Sequence, residues 1–367
     1  MIGSDRMTLT PGSAVSARLK EYAALVSELH VVLLSDVGHR LTNTKLAENL
    51  WVYPTNSISK FLRPIYAARI GKGLACDLIT VQDPFECGWA GLKIKQALHV
   101  PLEVQLHTDP FSEKFGGFLN KMRKSIAKRV IVEADSLRVV SRSVAENLSK
   151  RFNIPAERIN ILPIYVDRAR LDTGSEPFDL HEKYGWQFVM LSVARLTKEK
   201  NLTLALEVLQ KSKLIFPNIG LVIVGAGPEE SRLRALAKSL NLEKNIAFAG
   251  WQEDLTWYYR TANLFLQTSD FEGYGLALVE AGLAGLPVVT TSVGLANDLE
   301  NGKDAIVCPV GDAECLLRGA HGLIEDNAKR ETMRMSLRDK LDATLLTKTD
   351  YLNRMVSAWL SLTQKKP

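Results

Sequence analysis

A chain of 367 residues is too long for one small core, so two domains are expected. Hydrophobic residues make up 46% and charged residues 24%, as in an ordinary soluble globular protein. The net charge of +5 is too mild to mark a nucleic-acid binder, no run is long enough for a membrane span, and the start lacks the basic-then-apolar pattern of a secretory signal. Cys76, Cys87, Cys308 and Cys315 form no CxxC pair and no zinc spacing. Reduced thiols in a cytoplasm, with no disulfide, are therefore expected.

In chain order the first feature is an oddity. Met1-Ile2 runs into Gly3-Ser-Asp-Arg and a Pro-Gly turn, and a helical pattern follows over Ala17–Val26. A doubly wound sheet begins with a strand that becomes central, and here only a stub is present. The reading is a first strand that is missing, truncated or encoded upstream. Short β-branched runs then alternate with helical patterns, which argues for parallel α/β layers. Strands are expected at Leu29–Leu34, Trp51–Tyr53, Leu78–Gln82, Leu102–Leu106, Leu137–Ser141 and Ile159–Leu162. After a linker-like stretch from Asp167 to Gly185, further strands are expected at Phe188–Val193, Leu221–Val224, Ile246–Phe248, Leu264–Gln267, Val288–Thr291 and Ala305–Cys308. The expected organisation is a first domain over 1–170, a second over 186–348, and a C-terminal helix over 349–367 that returns to the first. Tyr351, Met355 and Trp359 form the apolar stripe of that helix.

The chemistry concentrates in the second half. After the strand Leu264–Gln267 come Glu272, Gly273, Tyr274, Gly275 and Leu276, with Glu280 one helical turn later on the same face. A helix that starts near Tyr274–Leu276 offers free amides and a positive dipole end to a phosphate or carboxylate. The Glu280 side chain leans back toward that end, where a carboxylate suits a pair of sugar hydroxyls. Arg195 and Lys200 flank a loop after Phe188–Val193, and two cations there can neutralise a diphosphate. Asn201 is placed to cap the following helix. Gly225-Ala-Gly227 follows another strand, but position 230, where a dinucleotide fingerprint needs glycine, is Glu230. NAD chemistry is thereby disfavoured. His107 follows the strand Leu102–Leu106, and Gly12-Ser13-Ala14 precedes the first helix.

Taken together, Gly12-Ser-Ala, His107, Arg195 with Lys200, Gly-x-Gly-Pro at 225–228, Gly250-Trp251 and Glu272-x7-Glu280 resemble the large retaining glycosyltransferase family of GT-B fold, family 4 or glycosyl transferases group 1. The similarity runs from about residue 10 to the C-terminal helix. It is strongest over 192–311, where Pro309-Val-Gly-Asp312 also fits. The resemblance implies an α/β protein of two Rossmann-like doubly wound domains facing across a cleft. It also implies transfer of a sugar from a nucleoside-diphosphate sugar with retention at the anomeric carbon.

By the same resemblance, Arg195 and Lys200 hold the diphosphate, Glu280 binds the ribose hydroxyls, and the Gly273–Leu276 backbone meets phosphate and sugar. Glu272 touches the donor sugar, His107 lies beside the transferred sugar, Trp251 neighbours the base, and Gly12 and Gly225 bring backbone to the donor. No Asp-x-Asp occurs, so neither a metal nor another cofactor is expected. Two departures stand out. The glycine-rich loop follows a near-absent strand, and Ile164-Tyr165 replaces Asn-Gly before Val166-Asp167.

The stretch 114–129 carries Lys114, Lys121, Arg123, Lys124, Lys128 and Arg129 among apolar residues and no acid. It is readable as a solvated helix face or as a surface resting on anionic lipid at the cytoplasmic side of a membrane. The acceptor remains open among lipid-linked sugar, glycan and small molecule. A sugar-nucleotide epimerase or phosphorylase of the same shape, or a catalytically silent binding subunit, are the competing readings.

Overall fold

The computed structural model describes residues 1–111, 118–172 and 176–364, which form two compact units. One holds Met1–Pro163 and the chain from Thr347 onward; the other holds Ile164–Leu346. The stretch expected as a linker thus lies in the second unit. It folds there because it has its own anchors: Asp179 accepts from the His181 amide at 2.6 Å at the start of helix Leu180–Tyr184, Leu180 is buried, and Phe178 packs edge-on against Tyr258 at 4.9 Å.

The strands of the first unit are β1 (Ile2–Gly3), β2 (Leu29–Leu33), β3 (Thr44–Ala47), β4 (Leu50–Pro54), β5 (Ile79–Val81), β6 (Leu102–Leu106), β7 (Ser136–Val139) and β8 (Ile159–Ile161). Their order is β3-β4-β2-β1-β5-β6-β7-β8. All pair in parallel except β3, which is antiparallel to β4. That edge strand was not expected, because Thr44-Lys-Leu-Ala is short and too polar to signal a strand. The second unit has β9 (Phe188–Val193), β10 (Ile219–Val224), β11 (Ile246–Gly250), β12 (Leu264–Gln267), β13 (Val288–Thr291) and β14 (Ile306–Cys308). All are parallel, in the order β11-β10-β9-β12-β13-β14. Numbered from its own first strand, this is the Rossmann order 3-2-1-4-5-6, which reverses direction between β9 and β12.

Strand β1 is central but pairs with β2 at two positions, Ile2 with Val32 and Gly3 with Leu33. A cavity of about 1040 Å³ lies at this end of the sheet, lined in part by Leu29, His30, Leu78, Ile79, Ile94 and Trp359. The Met1 ammonium donates to the His30 carbonyl at 2.7 Å, and burial lowers its pKa to about 6.

The helix Lys348–Gln364 packs on the first unit, as its stripe requires: Tyr351, Met355 and Trp359 are buried. Trp359 Nε1 donates to Glu103 at 3.0 Å, and Tyr351 meets the Tyr22 hydroxyl at 3.2 Å and the Arg138 guanidinium. Burying three such side chains contributes on the order of 5 kcal/mol before ordering costs.

Two expectations need correction. Cys308 and Cys315 form a disulfide. Cys308 ends β14 and Cys315 stands in the first turn of helix Ala313–Glu325, and the turn between them brings their Cα atoms to 5.7 Å. A spacing of seven matches no metal or redox motif, so the bond has no signature in one dimension. Cys76 and Cys87 are free. Asn201 does not cap its helix with its side chain. Its backbone is left-handed, at φ 43°, and its side-chain amide donates to Asp270 at 2.8 Å instead.

Candidate functional site

In an open parallel sheet the crevice for ligands opens at the carboxyl ends of the strands, where the order reverses. In the second unit that point lies between β9 and β12, and the two loops leaving these strands carry Arg195, Lys200 and Glu272. The loops are tied together. The Asp270 amide donates to the Glu199 carbonyl at 2.9 Å, and the Thr268 hydroxyl reaches the Lys200 and Asn201 carbonyls at 3.2 and 3.0 Å. Lys200 Nζ stands 2.7 Å from each oxygen of Glu272, and the Ser269 hydroxyl donates to Glu272 at 2.8 Å. Both charged side chains are largely enclosed, at 14% and 12% exposure, so their mutual attraction is less screened than in a surface ion pair, and removing either partner leaves a poorly solvated charge. An ammonium has three donors, and the Glu272 contacts use two. Lys200 is thus a fixed cation, held by Glu272, with donor capacity remaining for an anion. Arg195 is not drawn into this pair. Its side chain is 75% exposed and lies 3.9 Å from Glu199.

The helix Leu276–Leu283 starts where the sequence placed it. Gly275 precedes it at φ 95°, a left-handed conformation that a side chain rarely adopts, so glycine is what lets the chain turn from loop into helix here. The amides of Leu276 and Ala277 fall in the first turn, before intrahelical bonding begins. Tyr274 is buried, its carbonyl accepts from the Leu295 amide, and burial with the nearby Asp298 carboxylate pushes its phenol up to about 12. Its side chain is a wall, and its backbone belongs to the loop. Glu280 is half-buried and accepts from the Tyr259 hydroxyl at 2.9 Å.

Gly225 has a scaffold reason of its own. A Cβ there would lie 1.9 Å from the Ala194 carbonyl oxygen, and one on Gly227 would lie 2.3 Å from that of Leu196. The Gly-x-Gly turn therefore packs directly under the loop that bears Arg195 and Lys200, and the Leu196 amide bonds to the Ala226 carbonyl at 3.0 Å. Trp251 follows β11 and leaves 70% of its surface open. An exposed indole there is a ready stacking surface.

His107 and Gly12 belong to the first unit. His107 follows β6 and is exposed, yet desolvation, with the Arg138 and Arg18 guanidinium groups, brings its pKa down to about 4. It is a neutral imidazole at neutral pH. Gly12 occupies an exposed turn at φ 76°, and Ser13 caps helix Ala14–Ala23, accepting from the Ser16 amide at 3.1 Å and donating to the Met7 carbonyl at 2.6 Å. Sequence reasoning missed Ser269 and Tyr259. The doubled tyrosine in Trp257-Tyr-Tyr259 was the available signal for the second.

Family models match nearly the whole described chain. Glycosyl transferases group 1 covers residues 177–339, and Glycosyltransferase Family 4 covers residues 20–170. Among characterised relatives, the lipopolysaccharide core biosynthesis glycosyltransferase LpsE of Rhizobium meliloti is 28% identical over 56% of this chain and 55% of its own length. The alpha-monoglucosyldiacylglycerol synthase of Acholeplasma laidlawii is 25% identical over 70% of each. The chain thus spans little more than half of the first of these relatives. Among solved structures, Anabaena Alr3699/HepE in complex with UDP-glucose superposes with a TM-score of 0.76 at 19% identity, covering 98% of both chains. The sucrose-phosphate synthase of Thermosynechococcus elongatus gives a TM-score of 0.78 at 18% identity, covering 96% of this chain and 94% of that one.

Proposed function

Because the chain belongs to the glycosyltransferases of group 1 and family 4, with their GT-B architecture of two Rossmann-like units, we propose that it moves a sugar from a nucleoside-diphosphate sugar to an acceptor with retention of anomeric configuration. The observation that carries this reading is the enclosed Lys200–Glu272 pair at the switch point, beside the helix start at Leu276. Departure of a nucleoside diphosphate leaves growing negative charge on its outer phosphate. Lys200, the exposed Arg195 and the first-turn amides of helix Leu276–Leu283 are donors already in place to meet it, so the scheme assigns no role to a metal. Glu272, the partner of Lys200, is the group assigned to the hydroxyls of the donor sugar. Glu280 takes the ribose diol, Trp251 the base, and His107, neutral and hence able to accept or donate one hydrogen bond, the transferred sugar.

The test is transfer itself. With a UDP-sugar as first donor, chosen because UDP and UDP-glucose occur in the HepE complexes, the product released onto an acceptor is expected to keep the donor's anomeric configuration by proton NMR. An inverted product would contradict retention. Activity without any acceptor would favour an epimerase.

The acceptor reading rests on helix Phe118–Glu133. Its apolar residues Ala127, Val130 and Ile131 are buried in the first unit's core. Its outward face bears Lys121, Met122, Lys128 and Arg129, with Lys114 and Phe115 outside the described residues. Arg123 is paired with Glu86, and Arg129 with Glu133. Among the described residues, the apolar side chains Ala127, Val130 and Ile131 are thus already used, and the proposed lipid contact is mainly electrostatic. Among the described residues no helix is long and apolar enough to cross a membrane. Binding to vesicles containing about one-third anionic lipid is expected at low salt and should be lost in 0.5 M salt, each basic residue contributing about 1 kcal/mol. Equal partitioning of wild type and the triple variant Lys121→Glu, Lys128→Glu, Arg129→Glu would rule this contact out.

A further inference from the structure

We propose that Tyr259 is a positioning residue for nucleotide recognition: its phenol fixes the Glu280 carboxylate in the orientation that accepts the ribose diol. The inference rests on the reading of Glu280 as the diol-binding group and adds what makes that group selective.

Tyr259 sits on helix Thr256–Thr261, between the Trp251 loop and β12, and only 1% of its surface is exposed. Its ring lies 6.2 Å from that of Phe265 on β12, and its amide bonds to the Leu255 carbonyl at 3.0 Å, so ring and backbone are both held. Its hydroxyl donates to Glu280 Oε2 at 2.9 Å. Burial, then the neighbouring carboxylate, push the phenol well above the usual tyrosine range, so it is a donor at neutral pH.

The consequence is entropic and geometric. A free glutamate samples many rotamers and loses them when it binds, which costs conformational entropy. A pair of adjacent hydroxyls also needs both carboxylate oxygens in one plane at one distance. The phenol anchors Oε2 from a rigid wall, so the rotation of the carboxylate is set before the nucleotide arrives. A buried, fully enclosed tyrosine hydroxyl needs an acceptor in any case. What turns this pair into a recognition device is that its acceptor is the glutamate one turn into helix Leu276–Leu283, whose side chain leans back toward the free amides at Leu276.

The experiment uses the full chain and compares dissociation constants for UDP, GDP and ADP with those of their 2′-deoxy forms, in wild type, Tyr259→Phe and Glu280→Ala. Wild type is expected to prefer one ribonucleotide over its 2′-deoxy form about tenfold or more. Tyr259→Phe should reduce that preference about threefold to tenfold, weakening the 2′-deoxy form, which keeps only its 3′-hydroxyl for Glu280, by less than the ribonucleotide, and Glu280→Ala should abolish it. A simple packing defect would weaken both forms alike, and that outcome overturns the inference. If Glu280→Ala keeps the preference, the assignment of Glu280 itself is wrong and both readings fall; if Glu280→Ala loses it and Tyr259→Phe does not, only this inference falls. Should the phenylalanine variant not fold, Tyr259→4-aminophenylalanine keeps the ring and a donor. It is expected to retain the wild-type preference, and a folded protein without it would refute the positioning role.

Discussion

Replacing Glu280 by alanine is expected to weaken nucleoside-diphosphate binding about a hundredfold while leaving the fold intact. Two hydroxyl donors to one carboxylate contribute about 3 kcal/mol together, since hydrogen bonds to charged groups run at about 1.5–3 kcal/mol each and water recovers part of the loss. The side chain is half-buried one turn into helix Leu276–Leu283, so its removal opens space to solvent rather than a closed core cavity. The buried Tyr259 hydroxyl loses this acceptor, a cost of about 1 kcal/mol that should appear as a small fall in Tm. His107→Ala should behave in the opposite way, lowering kcat with little effect on nucleotide affinity, because it lies in the other unit and is assigned to the transferred sugar. Calorimetric titration of both variants with UDP, GDP and ADP separates the two patterns. Intact nucleotide binding in Glu280→Ala would remove the basis for the diol assignment.

Lys200→Met is expected to cost more in turnover than any other single change, a fall of about a hundredfold to a thousandfold in kcat. Removing one preorganised donor from a developing anion costs about 3–4 kcal/mol in comparable sites. Structure adds a second effect. Lys200 meets both oxygens of Glu272, which is 12% exposed, so the variant leaves a largely desolvated carboxylate without its cation. A penalty of about 2 kcal/mol follows, or a fall of roughly 5 °C in Tm. The double variant Lys200→Met, Glu272→Gln should recover most of the stability and none of the turnover. If it recovered both, the ion pair would be a fold element rather than part of the chemistry.

Much of this was legible in the sequence because parallel strands are buried on both faces and announce themselves as apolar runs. Phe188–Val193, Leu102–Leu106, Leu264–Gln267 and Val288–Thr291 begin and end where the runs do. The start of helix Leu276–Leu283 was legible because Gly275 marks a left-handed turn. What stayed hidden depends on tertiary approach. The Lys200–Glu272 pair joins residues 72 positions apart, and only the adjacency of β9 and β12 brings them together. Asn201 looked like a cap by local rules, but its left-handed backbone, at φ 43°, takes it out of the extended conformation a capping side chain needs, and its side-chain amide is tied to Asp270. The Cys308–Cys315 bond follows from the turn that closes β14 onto the next helix, a geometry no spacing rule encodes. Gly225 reads as a ligand glycine in one dimension, and three dimensions add a packing reason, its close approach to the Ala194 carbonyl.

The most direct test of nucleotide-sugar chemistry at the end of β12 is a thermal-shift panel with UDP, GDP, ADP, dTDP and NAD on wild type and Glu280→Ala. A ligand at about a hundred times its dissociation constant adds close to 2.7 kcal/mol, which shifts Tm by several degrees in a protein of this size. The expected result is stabilisation by one nucleoside diphosphate, absent with NAD and lost in Glu280→Ala. Stabilisation by none of them, or by NAD alone, or equally in both proteins, would contradict a donor site built on Lys200, Glu272 and Glu280.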